Sequence, residues 1–350
     1  MSGDLVLITG ATGHLGFRTL RFTLEHGHSV RAVVRSEAKA DKVKSNAVLK
    51  AMNKETQLSF VVVPDFLTPG AFDEAVKDVK YILHIASPMA TKVPEGEKDL
   101  ETFFVPAAVQ GTMGVLESAR KAGTVKRIVV TSSVVSIMPL SAIMAPSDDV
   151  FSAESRLPDP QGPFNHVFVA YAASKTAAFN KAEAWVKSEK PDFDVIHIHP
   201  SFILGRDDLA ETTQDFQTVV NRMVVNQALN QVGPSYASMV NNFNYVDDTA
   251  RIHVLALDPK VAGNQSFLVS NRGQDGMTWD DTKNIVDKYY YHEYVQDGTL
   301  PNTGKTGTVV GKLDVKKTED TFGFKLASYE TCVVSVMDHY LELLKKEKNA

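Results

Sequence analysis

Short apolar runs alternate with amphipathic stretches over roughly the first 200 residues, and that alternation predicts a layered α/β protein with a parallel sheet. Residues 5–8 (Leu-Val-Leu-Ile) are apolar at every position, as suits a strand buried on both faces. Further runs at 28–34, 58–63, 79–86, 127–131 and 194–199 read as strands, the last stopped by Pro200. Between them, apolar positions at helical spacing predict helices over 15–25, 37–52, 97–122 and from Tyr171 to 188. The stretch 136–169 holds several prolines and a run of acids, and reads as loop-rich. Beyond Pro200 the alternation fades, with helices expected over 213–230, 247–257 and 278–291 among glycine and asparagine loops.

The first strand runs into Thr9-Gly10-Ala-Thr12-Gly13-His14-Leu15-Gly16, with a helix after it. The three-residue glycine spacing provides a tight turn, close backbone approach and a helix N-terminus aimed at negative charge, which suits a dinucleotide pyrophosphate. The second strand ends at Arg35, with Lys39 one turn on and no acid where an NAD site would place one. A guanidinium there suits a ribose 2′-phosphate, so NADPH is the expected cofactor. Asp65 and Phe66 follow the third strand, where they could touch adenine, and Ala86, Ser87 and Pro88 follow the fourth. Thr131, Ser133 and Pro200 also stand at strand ends, the edge on which ligands of such sheets bind. Tyr171-Ala-Ala-Ser-Lys175 pairs a phenol with an ammonium one helical turn away, an arrangement that lowers the pKa of an otherwise weak acid. The expected fold is a Rossmann doubly wound parallel sheet with a smaller, mixed C-terminal substrate lobe. Residues 1–200, with parts of 240–270, would form the dinucleotide-binding domain, and 201–240 with 271–350 the substrate lobe.

Composition narrows the picture only a little. With 43% hydrophobic and 23% charged residues and a net charge of −5, the 350-residue chain shows no basic bias toward nucleic acid. One cysteine, Cys332, permits no internal disulfide and reads as a buried thiol. The first strand begins too early to leave room for a signal peptide, and no apolar run approaches membrane-spanning length, so a cytoplasmic protein is expected. It would be a monomer or a homodimer.

These motifs together resemble the extended short-chain dehydrogenase/reductases. The resemblance runs nearly the full length and is most specific in Arg127-Ile-Val-Val-Thr131-Ser-Ser133 and Tyr171-Ala-Ala-Ser-Lys175-Thr. Within the superfamily the chain is most similar to the fungal NADPH-dependent aldehyde and ketone reductases related to dihydroflavonol reductase. The resemblance implies hydride transfer from NADPH to a carbonyl, with Tyr171 as proton donor and Ser133, rather than Ser132, bonded to the carbonyl oxygen. It implies that Lys175 bonds the nicotinamide ribose and lowers the tyrosine pKa. Met89, Ser133, Val134, Tyr171 and Phe202 would border the substrate and Phe202 the cofactor too, a mostly apolar set that suits a small hydrophobic carbonyl compound. Two departures stand out: Ala108 occupies the place where many members carry an asparagine, and Leu204-Gly205-Arg206 replaces a frequent Gly-Pro.

Alternatives sharing the constellation are an NAD-dependent sugar-nucleotide epimerase or dehydratase and a non-catalytic dinucleotide-binding redox sensor. The segment Ser133-Val-Val-Ser-Ile-Met138 lacks the extra carboxylate that dehydration calls for. The segment 298–306 imitates a phosphate-binding loop with one residue too many, and reads as polar surface. His197 and His199 share a strand face without a third ligand at metal spacing, so no metal is expected, and Asp148, Asp149 and Glu154 read as a solvated loop.

Overall fold

The computed structural model describes residues 3–87, 93, 97, 99–234 and 238–349. Its elements divide between two units, one of Met1–Ile137, Glu154–His199 and Ala250–Phe267, the other of Met138–Ala153, Pro200–Thr249 and Leu268–Ala350.

In the first unit, β1 (Leu5–Thr9) feeds α1 (His14–Glu25), and β2 (Ser29–Val34) feeds α2 (Glu37–Ser45) and α3 (Ala47–Ala51). One continuous helix was expected over 37–52. It breaks at Asn46, whose backbone turns extended while its side chain accepts from the amides of Val48 (3.0 Å) and Leu49 (3.3 Å). Asparagine supplies that cap better than it continues a helix. Next come β3 (Leu58–Val62), β4 (Tyr81–His84), α4 (Leu100–Ala122) and β5 (Arg127–Thr131).

The loop-rich stretch 136–169 holds the short α5 (Leu140–Met144) and β6 (Val150–Ser152) ahead of α6 (Val167–Glu189). After α6 comes β7 (Asp194–Pro200); then β8 (Phe202–Leu204), α7 (Arg222–Ala228), β9 (Ser238–Val240), β10 (Phe243–Tyr245), α8 (Val246–Leu255) and β11 (Gln265–Val269). The large sheet has the order β11-β7-β5-β4-β1-β2-β3, with parallel registers from β7 through to β3. This is the doubly wound arrangement, its strand order reversing between β1 and β4. Leu7, Ile82, Ile128 and Val195 face one core with Phe72 and Leu116. The small buried side chains of α6, among them Ala170, Ala173 and Ala178, let it lie against α4. Arg127 is buried, forked onto Asp194 (2.6 and 2.9 Å), and donates to the carbonyls of Ala256, Asp258 and Val261. That use of a planar five-donor group ties β5 to two distant segments.

The second unit is completed by α9 (Asp281–Tyr290), β12 (Gly307–Val309), β13 (Lys312–Asp314), α10 (Lys316–Phe322) and α11 (Tyr329–Lys348). Trp279, Phe216, Phe243, Tyr329 and Val336 anchor its core, where Cys332 is fully buried. The segment 138–153, expected with the first domain, belongs here, because β6 pairs with β13 in parallel register and α5 packs on β9. The expected helix over 213–230 becomes a 3₁₀ turn (Thr213–Thr218) and α7, parted where β-branched Val219 is extended. The segment 298–306 is not simple polar surface. Leu300 is buried, and buried Asn302 donates to the Lys283 carbonyl and the Asp287 carboxylate. Among the described residues no helix is long and apolar enough to cross a membrane.

Candidate active site

The glycine turn is built by close approach. Gly10 has φ +81°, and a Cβ there would stand 2.8 Å from the Ala86 nitrogen; at Gly16 a Cβ would lie 2.0 Å from the Gly10 oxygen. Neither position accepts a larger side chain without moving backbone. Gly13 caps α1, which has no side-chain cap and no acid in its first turn, so its amide end is left for an anion. Thr12 and His14 are half-buried around this turn, and Leu15 turns into the core.

Thr9 and His84, which sequence reasoning missed, hold the turn against the end of β4. The Thr9 hydroxyl accepts from the amides of Ile85 (3.1 Å) and Ala86 (3.2 Å) and lies 2.9 Å from His84 Nδ1. Its one proton therefore goes to the imidazole, which burial keeps neutral by lowering its pKa to about 3. A polar residue closing an apolar strand was the available signal.

Arg35 and Lys39 are exposed after β2, and the Arg35 guanidinium lies 5.9 Å from the Phe66 ring centre. Phe66 packs edge-on against Phe72. Asp65 is occupied locally, accepting from the Leu67 amide and the Thr68 hydroxyl. Ala86 and Ser87 follow β4 half-buried, while Pro88 and Met89 lie outside the described residues. Pro200 closes β7; Phe202 opens β8 in the second unit, where its ring meets Trp279 at 6.2 Å.

Ser133, Tyr171 and Lys175 come together in the first unit. Ser133 caps a 3₁₀ turn (Val134–Ser136) after β5, with Val134 buried behind it, and its hydroxyl lies on the side of the Tyr171 phenol, whose pKa it lowers. The Tyr171 ring is set between Phe104 and Phe168. Lys175 is buried below it, its Nζ 6.0 Å from the ring centre and donating to the Thr131 carbonyl at 3.2 Å. The Thr131 hydroxyl meets His253 Nε2 at 2.7 Å. A cavity of about 20 Å³, enough for one water, is bordered by His84, Thr112, Thr131, Ser132, Lys175 and His197, with Ala108 also on its wall.

The electrostatics differ from the expectation that Lys175 depresses the tyrosine. Burial raises the Tyr171 pKa against a smaller lowering by the nearby Ser133 hydroxyl, and burial lowers the Lys175 amine to about 8. Desolvation is the largest cause for each group, and neither shift includes a contribution from the other residue. Folding therefore releases a proton from Lys175 between pH 8 and its ordinary 10.5, and stability rises with pH across that window. Lys175→Met carries no such proton. It should melt higher than the wild type near pH 7, by about 2 kcal/mol after loss of the Thr131 bond, and the gap should close as pH approaches about 10.5. Thermal melts across that range check this, and a constant gap would mean that the buried amine keeps its ordinary pKa.

His197 and His199 are both buried against Phe179, their pKa values pushed down by burial. Ser132 is turned inward, its hydroxyl 2.9 Å from Ser136 Oγ, whereas Ser133 is the serine that lowers the phenol's pKa.

Residues 6–269 match the model of the NAD dependent epimerase/dehydratase family. Ketoreductase CTB6 of Cercospora nicotianae is 46% identical over 357 residues, which cover 99% of this chain and 98% of that protein. A reductase engineered to attenuate substrate inhibition in asymmetric catalysis superposes with a TM-score of 0.79 at 28% identity, over 97% of this chain and 100% of its own. Yeast methylglyoxal/isovaleraldehyde reductase Gre2, complexed with NADPH, gives 0.78 at 23% identity over 99% and 100%, a likeness of fold.

Proposed function

The chain belongs to the NAD dependent epimerase/dehydratase family, and from that premise we propose that it reduces an aldehyde or ketone to an alcohol with NADPH. The convergence of the Ser133 hydroxyl, the Tyr171 phenol and the Lys175 amine, on the sheet edge that bears the glycine turn, carries this conclusion. The extensive identity to a ketoreductase supports it.

The donor set fits the dinucleotide. The missing Cβ at Gly10 and Gly16 lets the turn close on Ala86 and on itself, and the open end of α1 that this turn leads into would meet the pyrophosphate's charge. Arg35 and Lys39 would take the 2′-phosphate, and Lys175 the nicotinamide ribose. Bound NADPH supplies a hydride to the carbonyl carbon. Tyr171, kept protonated by its raised pKa, gives its proton to the carbonyl oxygen as that oxygen becomes an alkoxide. Ser133 donates a hydrogen bond to the same oxygen and stabilises its growing charge. Val134, Phe104 and Phe168 make the surroundings apolar, which favours a small hydrophobic carbonyl compound over a sugar nucleotide.

Purified protein should consume NADPH, read by loss of its near-ultraviolet absorbance, with one or more of phenylglyoxal, diacetyl, isovaleraldehyde and acetophenone. Inertness toward all four, together with turnover of UDP-glucose, would move the assignment to the epimerases. Arg35→Ser should weaken NADPH binding by about 10- to 100-fold, the loss of one charge-assisted pair, and leave NADH binding unchanged. Fluorescence titration with both cofactors checks this; an equal loss for both would take the 2′-phosphate away from Arg35.

A further inference from the structure

We infer that Ser136 and His199 are positioning residues that aim the Ser133 hydroxyl, an inference that rests on the proposed role of Ser133 at the carbonyl oxygen. The last sheet bond of this segment runs from the Ser132 amide to the Ile198 carbonyl at 2.7 Å. One residue later the chain leaves the sheet, and the orientation of the Ser133 peptide depends on whatever holds its carbonyl. The Ser136 amide donates to that oxygen at 3.0 Å, a bond any residue at 136 except proline would keep, and two side chains reach it as well. Ser136 Oγ donates to it at 2.6 Å, and His199 Nδ1 lies 3.3 Å away.

Proton counting orders the network. Ser136 has one hydroxyl proton, and it goes to the Ser133 carbonyl. Ser132 Oγ and His199 Nδ1, each 2.9 Å from Ser136 Oγ, must then both donate to it. His199 is thereby the Nδ1–H tautomer, and its Nε2 is left buried with no hydrogen-bond partner. An orphaned buried nitrogen carries a desolvation cost that an apolar side chain would not incur. The imidazole is nevertheless enclosed, fully buried and edge-on to Phe179 at 4.7 Å. What it contributes is directed: an N–H aimed at the two oxygens that set the Ser133 peptide. Displacement of a positioned group by about 1 Å can cost on the order of 100-fold in rate, so a donor behind Ser133 acts on turnover without touching substrate.

The test is a double-mutant cycle, run with whichever panel carbonyl is reduced fastest. His199→Leu and Ser136→Ala should each lower kcat about tenfold while NADPH affinity stays within about twofold. His199→Asn, which keeps an N–H near the Nδ1 position, should restore most of the loss. In a Ser133→Ala background, His199→Leu and Ser136→Ala should change kcat by less than about twofold, since nothing is left to aim. Equal fold losses in both backgrounds, or losses that follow NADPH affinity, would make these residues merely structural and overturn the inference. Should His199→Leu fail to fold, Ser136→Ala carries the same comparison. If Ser133→Ala alone leaves kcat intact, the catalytic role of Ser133 falls first, and the positioning role with it.

Discussion

Tyr171→Phe is expected to lower carbonyl reduction by roughly 100- to 10,000-fold while NADPH binds within about twofold of wild type. The substitution removes one oxygen and leaves the ring, so the contacts with Phe104 and Phe168 persist. What disappears is the hydroxyl proposed as the proton donor. The raised phenol pKa sharpens the expectation, because a group kept protonated is suited to give a proton rather than to accept one. Single-turnover mixing of enzyme, NADPH and a carbonyl isolates the chemical step, and a melt confirms the fold. Comparable single-turnover rates in both proteins would remove Tyr171 from the reaction.

Gly16→Ala should weaken NADPH binding by more than about 100-fold and destabilise the first unit by about 1–3 kcal/mol. The added methyl would stand 2.0 Å from the Gly10 oxygen. Gly10 cannot retreat freely, because it already holds φ +81° and faces the Ala86 nitrogen at a distance that leaves no room for its own Cβ. Either α1 moves away from the turn or the turn opens, and each displaces the amides meant for the pyrophosphate. Gly111→Ala is the matched control: it lies in α4, and a Cβ there meets nothing within 4 Å. It should be neutral or stabilising by up to about 1 kcal/mol, from helix propensity. Cofactor titration and thermal melts read both variants. Retained affinity in Gly16→Ala would mean that the turn is far more compliant than its contacts indicate.

Six of the seven strands of the large sheet were legible because their signals are local, whereas β11 was not among the expected strands. Apolar runs closed by glycine or proline mark strands, and Gly10, Arg35, Ser133 and Pro200 could be placed at strand ends before any coordinates. Asn46 and Val219 show where locality fails, since each interrupts a helical pattern through a backbone preference that a periodicity count averages away. The segment 138–153 was misplaced for a different reason: three-residue strands such as β6 acquire their partner only through β13, more than 150 residues later.

Residue identity and spacing by themselves determined the α/β class, the glycine turn, the phosphate-ready arginine and the phenol–amine pair, because each depends on neighbours a few positions apart. Tertiary structure alone decided how the two serines are held: Ser136 meets the Ser132 hydroxyl, and Ser136 with His199 takes the Ser133 carbonyl. It also decided the charge balance of the site. How far burial raises Tyr171 and lowers Lys175 depends on the whole surrounding protein that excludes water from them, and no stretch of five residues encodes that.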